Sequence, residues 1–239
     1  MKTKQLIALS IIGLTLFACE KDKDDTPTPA SSNSTQSTDN TISFTGADGT
    51  VIAVKSLSDV GIATITIGTA IGVFYDNGSL VDVGTVSAEA IDLTKNANNN
   101  YTASASATSP TGISYTDPIT WSVSGANGFS SFSENITRGF PTANAVNSPG
   151  IVDKSDGYTL SNTAISNSDS VLFSIGNVTK TMSANTTSCT FSSAELSGLA
   201  NGSNFASIAP YNYSNKMISS KNIYFVNEYL VQKMVSVQN

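Results

Sequence analysis

The 239-residue sequence has no histidine, two cysteines and one tryptophan, and only 13% of it is charged. Each shortage removes a class of chemistry. Without histidine there is no Ser-His-Asp or Cys-His nucleophile and no imidazole-ligated zinc, copper or non-haem iron. The usual general base near neutral pH is missing too. Two cysteines cannot build a thiolate cluster. No P-loop and no GxGxxG stands before a helix, so phosphates and dinucleotides find no cradle. Basic residues number 12 against 18 acidic ones, which argues against nucleic acid and anionic membrane surfaces as partners. No cofactor and no metal is expected.

What is present begins at the N-terminus. Lys2 and Lys4 precede an apolar stretch, Leu6 to Ala18, broken only by Ser10, Gly13 and Thr15. This is shorter than the roughly 20 residues that cross a bilayer. A basic start, a short apolar core and a small residue at the break describe a secretory signal. Leu16-Phe17-Ala18-Cys19 is similar to a bacterial lipobox. That resemblance implies cleavage before Cys19 and lipid on its sulfur, and hence a membrane partner. One acyl chain binds a membrane only marginally; several chains on Cys19 would hold it. Glu20-Lys21-Asp22-Lys23-Asp24-Asp25 follows. It resembles the export signal of Bacteroidota surface lipoproteins, which implies carriage to the outer face of the outer membrane. The plainer reading of Lys21, Asp22, Lys23, Asp24 and Asp25 is a solvated cluster that keeps the tether off the bilayer.

Removal of residues 1–18 takes two lysines and leaves 10 basic residues (12 − 2) against 18 acidic. With Cys19 lipidated, Cys189 has no partner in the chain, and it reads as a small buried thiol. Residues 26–41, rich in Ser, Thr, Pro and Asn, form a flexible linker. The segment from Glu20 to Asn40 spans roughly 25 Å as a coil.

From Ile42 onward the pattern is strand and turn. Asp48-Gly49, Asn77-Gly78, Asn127-Gly128, Asp156-Gly157 and Asn201-Gly202 mark turns. Ile71 to Tyr75 and Leu80 to Val83, around Asn77-Gly78, are the clearest hairpin. Ile119 to Val123 carries the one tryptophan, Trp121, and reads as a core strand. Helical spacing is absent except for one short turn within Ser192 to Leu199. Gly139, Pro141, Pro149 and Gly150 punctuate a boundary. The reading is therefore all-β, with tandem antiparallel β-sandwich domains over residues 42–140 and 141–239. Seven short strands in the second span match the count of an immunoglobulin-like sandwich. Leu196 to Phe205 is similar to the corner before strand F of fibronectin type III domains, with Phe205 where that family has tyrosine.

Candidate chemistry is sparse. Carboxylate pairs, as glycosidases use, could come from Glu89, Asp92, Asp117, Glu134, Asp153, Asp156, Asp169, Glu195 or Glu228, and no two of these fall in a recognisable pattern. Asp153 to Gly157 has an oxygen-ligand look but fails the EF-hand spacing and reads as a turn. Tyr211, Asn212 and Tyr213 are expected in a loop at one end of the second sandwich. They either stack on sugar rings or lean on the sandwich edge. The functional expectation is a non-catalytic surface lipoprotein on the outer membrane that binds a glycan or a protein partner. The alternatives are a fibre or surface-layer subunit, for which the apolar strand Tyr229 to Val237 would have to be free for donation, and a carboxylate-based glycoside hydrolase.

Overall fold

The computed structural model describes residue 44 and residues 46–59 and 64–239. The expected signal peptide, Cys19, the run Lys21 to Asp25 and the linker to residue 41 lie outside the described residues. Among the described residues nine strands precede residue 140: β1 (Gly49–Asp59), β2 (Thr64–Asp76), β3 (Ser79–Leu80), β4 (Val86–Ala88), β5 (Ile91–Asp92), β6 (Thr94–Lys95), β7 (Tyr101–Ala103), β8 (Ile119–Val123) and β9 (Phe132–Ile136). Nine follow it: β10 (Thr142–Ala143), β11 (Ile151–Asp153), β12 (Tyr158–Ser161), β13 (Ile165–Ser166), β14 (Ser170–Ile175), β15 (Val178–Ser183), β16 (Ser188–Phe191), β17 (Gly202–Ile218) and β18 (Lys221–Gln238). The one helix among the described residues, α1 (Ser193–Leu196), is a single turn closed by a capping box between Ser192 and Glu195. The protein is all-β.

One sheet organises the rest. Its strand order is β15-β14-β17-β18-β1-β2-β7-β6, with β11 also on β18 and β3 on β2. β17 and β18 form a long antiparallel hairpin, from Gly202↔Val237 to Ile218↔Lys221. β1 lies on the other edge of β18 in parallel, from Gly49↔Ile223 to Ser58↔Gln232. Parallel strands with both faces covered read as unbroken apolar runs, and Val51-Ile52-Ala53-Val54 and Ile223-Tyr224-Phe225-Val226 are such runs. β1 then turns back antiparallel into β2. The division at residue 141 thus does not separate the strands of this sheet, since β1 and β18 are neighbours.

The cores draw residues from both sides of it. Odd-numbered residues of β1 and β18 point to one face of the sheet. At one end of that face Val51, Ala53, Ile223 and Phe225 meet Val86, Ala88, Ile119, Trp121 and Val123. These come from the separate sheet β5-β4-β8-β9. At the other end Val231, Val235 and Val237 meet Leu160, Phe191 and Cys189 of the two-stranded sheet β12-β16, with Leu196 and Leu199. The fold is two sandwich cores set side by side on one long sheet.

Two glycines act by different means. Asn77 and Gly78 have φ of 48° and 85°, the pair of left-handed residues that a tight hairpin turn requires. Gly49 was expected in a turn but opens β1 instead. A Cβ there would stand 2.6 Å from the Phe74 ring, so the site needs glycine for closeness and not for φ.

Trp121 is fully buried and pairs with Ala88 and Glu134 on its two flanks. Trp121→Ala should cost about 3–5 kcal/mol, read as a lowered denaturant midpoint at unchanged slope. Wild-type tryptophan emission should be blue-shifted and resist iodide quenching.

Candidate functional site

The second face of the main sheet carries the candidate site. Register fixes its membership: Ile52 and Val54 of β1, Leu172 of β14, Ala209 and Tyr211 of β17, and Val226 and Leu230 of β18 form a third apolar cluster. Among the described residues only Phe44 and Ala47 join this cluster from outside the sheet. The Phe44 ring stands 5.1 Å from that of Tyr213, edge to face, and 4.5 Å from that of Tyr224, and the two tyrosine rings are 6.0 Å apart. Such offset and edgewise contacts suit the ring quadrupoles. The chain before β1 is held down by Asn222. Its backbone N–H donates to Asp48 Oδ2 at 2.8 Å, and its Nδ2 donates to the Gly46 carbonyl at 3.3 Å. Asn215 Nδ2 donates to Asn222 Oδ1 at 2.9 Å. Aromatic rings and amides therefore share one end of the hairpin.

Tyr211, Asn212 and Tyr213 lie within β17, not in a loop. Alternation sends them to different places. Tyr211 is buried in the third cluster, and burial, which outweighs a hydrogen bond with Ser170, raises its pKa. Asn212 is buried on the opposite face. Its Nδ2 donates to the carbonyls of Gly139 at 3.0 Å and Asn167 at 2.7 Å, so it clamps the crossing between the two cores. Only Tyr213, at 39% exposure, faces solvent. Sequence reasoning missed Phe44, Tyr224, Asn215 and Asn222. The parity of Tyr224 with Val226 was a usable signal for one of them; Phe44 offered none.

The crossing itself is polar. Arg138 donates from Nη1 and Nη2 to the two carboxylate oxygens of Asp169, each at 2.7 Å, and from Nη1 to the Tyr213 carbonyl at 3.0 Å. The Tyr213 N–H donates to Asp169 Oδ2 at 3.0 Å, and Asn227 Nδ2 donates to the Arg138 carbonyl. Burial alone would raise the Asp169 pKa; Arg138 and the Tyr213 N–H outweigh it and hold the carboxyl below its ordinary value.

Seven further carboxylates are tied individually. Asp82 is brought down to about 2 by Lys95, then by the Gly84 N–H and the Tyr101 hydroxyl. Glu195 is brought down to about 2 by Lys180 and then Ser192. Glu134 pairs with Lys216, Asp48 and Asp76 share Lys221, and Glu89 accepts from Thr116 and from the Thr120 N–H. Asp153 accepts from Ser155 within its turn. No group of three or more metal-ligating side chains occurs among the described residues. Cys189 is buried, and burial raises its thiol pKa.

Glu228 is different. It sits on the second face opposite Tyr211 and Val54 and is 2% exposed. Its Oε2 has no hydrogen-bond partner. Burial alone pushes its pKa from 4.5 up to about 7. No second carboxylate contributes to that shift, so Glu228 is not half of an acid pair. The β18 strand that contains it is paired along both edges, so Tyr229 to Val237 is not a free edge.

The pH dependence follows in sign. The folded state holds the Glu228 proton more tightly than the unfolded chain does. That stability is complete below about pH 4.5 and is lost as pH rises through about 7, roughly 3 kcal/mol in all. Asp169 works the other way and loses its contribution as pH falls below its unfolded value. Thermal unfolding from pH 5 to pH 8 should show the melting temperature of the wild type falling, and Glu228→Gln should flatten that slope. A wild-type curve already flat over this range would contradict the burial of an unpaired carboxyl.

Neither the protein-family models nor the curated proteins yield a match to this chain.

Proposed function

We propose that this chain is a non-catalytic lipoprotein, anchored through Cys19 to the outer membrane with its folded part outside, that binds a glycan or a protein partner through the second face of its main sheet. The anchor rests on Leu16-Phe17-Ala18-Cys19 after a short apolar run. The export reading rests on its resemblance to the acidic run that follows in Bacteroidota surface lipoproteins. The observation that carries the binding role is the composition of the second face. It presents the Tyr213 ring and, at the hairpin end, exposed Met217, while Asp82, Glu134, Asp169 and Glu195 elsewhere are engaged by lysine or arginine. Aromatic side chains and methionine are the enriched residues of binding surfaces. Histidine, the usual activator of a serine or cysteine nucleophile, is missing from the sequence.

Metabolic labelling with a fatty acid, followed by fractionation, tests the anchor. The wild-type chain should carry label and partition with outer membranes, and Cys19→Ser should lose both. Replacing Asp22, Asp24 and Asp25 by alanine should reduce protease accessibility on intact cells. A hydrolase screen of the same protein tests the non-catalytic reading: turnover abolished by replacing two carboxylates would establish an enzyme instead.

A further inference from the structure

Five buried side-chain atoms among the described residues make no hydrogen bond to a protein group: Thr50 Oγ1, Trp121 Nε1, Asn212 Oδ1, Asn227 Oδ1 and Glu228 Oε2. Buried polar atoms are nearly always paired, so each of these asks for a partner. Three of them stand alone. Thr50 aligns with Tyr224 and Glu228 with Val54, four positions apart along the same two strands, and Trp121 belongs to another sheet. Asn212 and Asn227 are different. They oppose each other directly across β17 and β18, and their side chains share the face that carries the first two cores. They are 0% and 2% exposed.

Neither amide gains by turning over. Asn212 uses both of its amide hydrogens, donating from Nδ2 to the carbonyls of Gly139 at 3.0 Å and Asn167 at 2.7 Å. Asn227 Nδ2 donates to the Arg138 carbonyl. A flip would set oxygen against these carbonyls, acceptor against acceptor. The two Oδ1 atoms therefore stay unpaired acceptors, and what both lack is a hydrogen donor. Spacing makes one donor enough. Directly opposed residues hold their Cβ atoms about 4.5–5.5 Å apart. A water about 2.8 Å from each of two oxygens bridges up to about 5.6 Å. The strand ladder is also interrupted here. Pairing runs from Ile208↔Val231 to Tyr211↔Glu228 with no partner for Ala209 or Pro210 between them, and proline has no N–H to donate. The asparagine pair comes immediately after Tyr211.

We propose that one water molecule is bound in the seam between the two cores, donating one hydrogen to Asn212 Oδ1 and the other to Asn227 Oδ1. It ties β17 to β18 beside the gap at Pro210. Through the two amides it also ties the hairpin to the crossing at residues 138–139. Charge selects water over a cation. The Arg138 guanidinium belongs to the same crossing, and both Asp169 oxygens already accept from it. Two neutral amide oxygens near a guanidinium suit a neutral molecule with two hydrogens to give. Buried waters make about two to four hydrogen bonds to groups the protein leaves unpaired, and they are costly to remove.

The test is a crystal structure of the full-length chain in detergent, grown from rubidium chloride, at a resolution that shows ordered water. The expected result is a peak within hydrogen-bond distance of both Oδ1 atoms and without rubidium anomalous signal. No peak, or a peak touching only one of the two oxygens, would overturn the bridge. A rubidium signal, or an oxygen shell at metal-ligand distances, would replace the water with a cation and overturn the assignment. Magnetic relaxation dispersion of the water signal counts long-lived waters in solution. Asn227→Leu should hold one fewer than the wild type, and Asn215→Leu, at the exposed end of the hairpin, should hold the same number. Equal counts in the wild type and a folded Asn227→Leu would also overturn the proposal. The crystal result rests on the wild type and decides the matter if that variant does not fold.

Discussion

The parallel pairing of β1 with β18 is the constraint on which the rest of the structure depends. Ten consecutive residue pairs join the start of the described chain to its last strand. Parallel pairing is slightly weaker per residue than antiparallel pairing, so the pair must be reinforced from both faces. The odd face of β1 and β18 is reinforced by two separate sandwich cores. The even face gathers Phe44, Ile52, Val54, Val226 and Leu230. Removing β18 would leave three apolar clusters open at once, because it contributes buried residues to all of them.

The two cores are kept apart by polarity. Between Phe225, in the first core, and Val231, in the second, the same face of β18 presents Asn227. Asn227 and its cross-strand partner Asn212 both bind the backbone of the crossing at residues 138–139. Arg138 completes the seam with a two-point ion pair to Asp169. Breaking one side of a buried polar contact is costly, because the other side is left without a partner. The seam therefore fixes the position of the crossing segment and marks where one core stops and the next begins.

Much of the fold was legible in the sequence, and the losses have physical causes. The all-β character, the Asn77-Gly78 hairpin, the buried Trp121 and the short turn after Ser192 are local signals, and each appears where local chemistry places it. The long hairpin was read in pieces. Asn227 and Glu228 interrupt the apolar pattern of β18, and Ser214 to Lys216 make the far half of β17 look like a loop. Both interruptions are tertiary: the asparagines answer a crossing segment, and the polar half of β17 lies at the edge of the first core. This is why Tyr211 and Asn212 were expected at a loop and are buried in a strand. The parallel β1–β18 contact spans the whole described chain, and no spacing rule reports a contact of that range.

The order in which this topology can close is set by where its central strand lies in the chain. The Asn222 N–H that holds Asp48 is 174 residues downstream of it. Closing so long a loop costs entropy before any contact rewards it, and folding slows as contacts become more remote in sequence. Neither sandwich core can be finished while residues 221–238 are still awaited. During synthesis the chain therefore stays open with β1 unpaired on that edge, a strand edge that other chains can find. A stop codon or proteolytic cut removing only the last strand would unmake both cores, including the one built almost wholly from residues before 140.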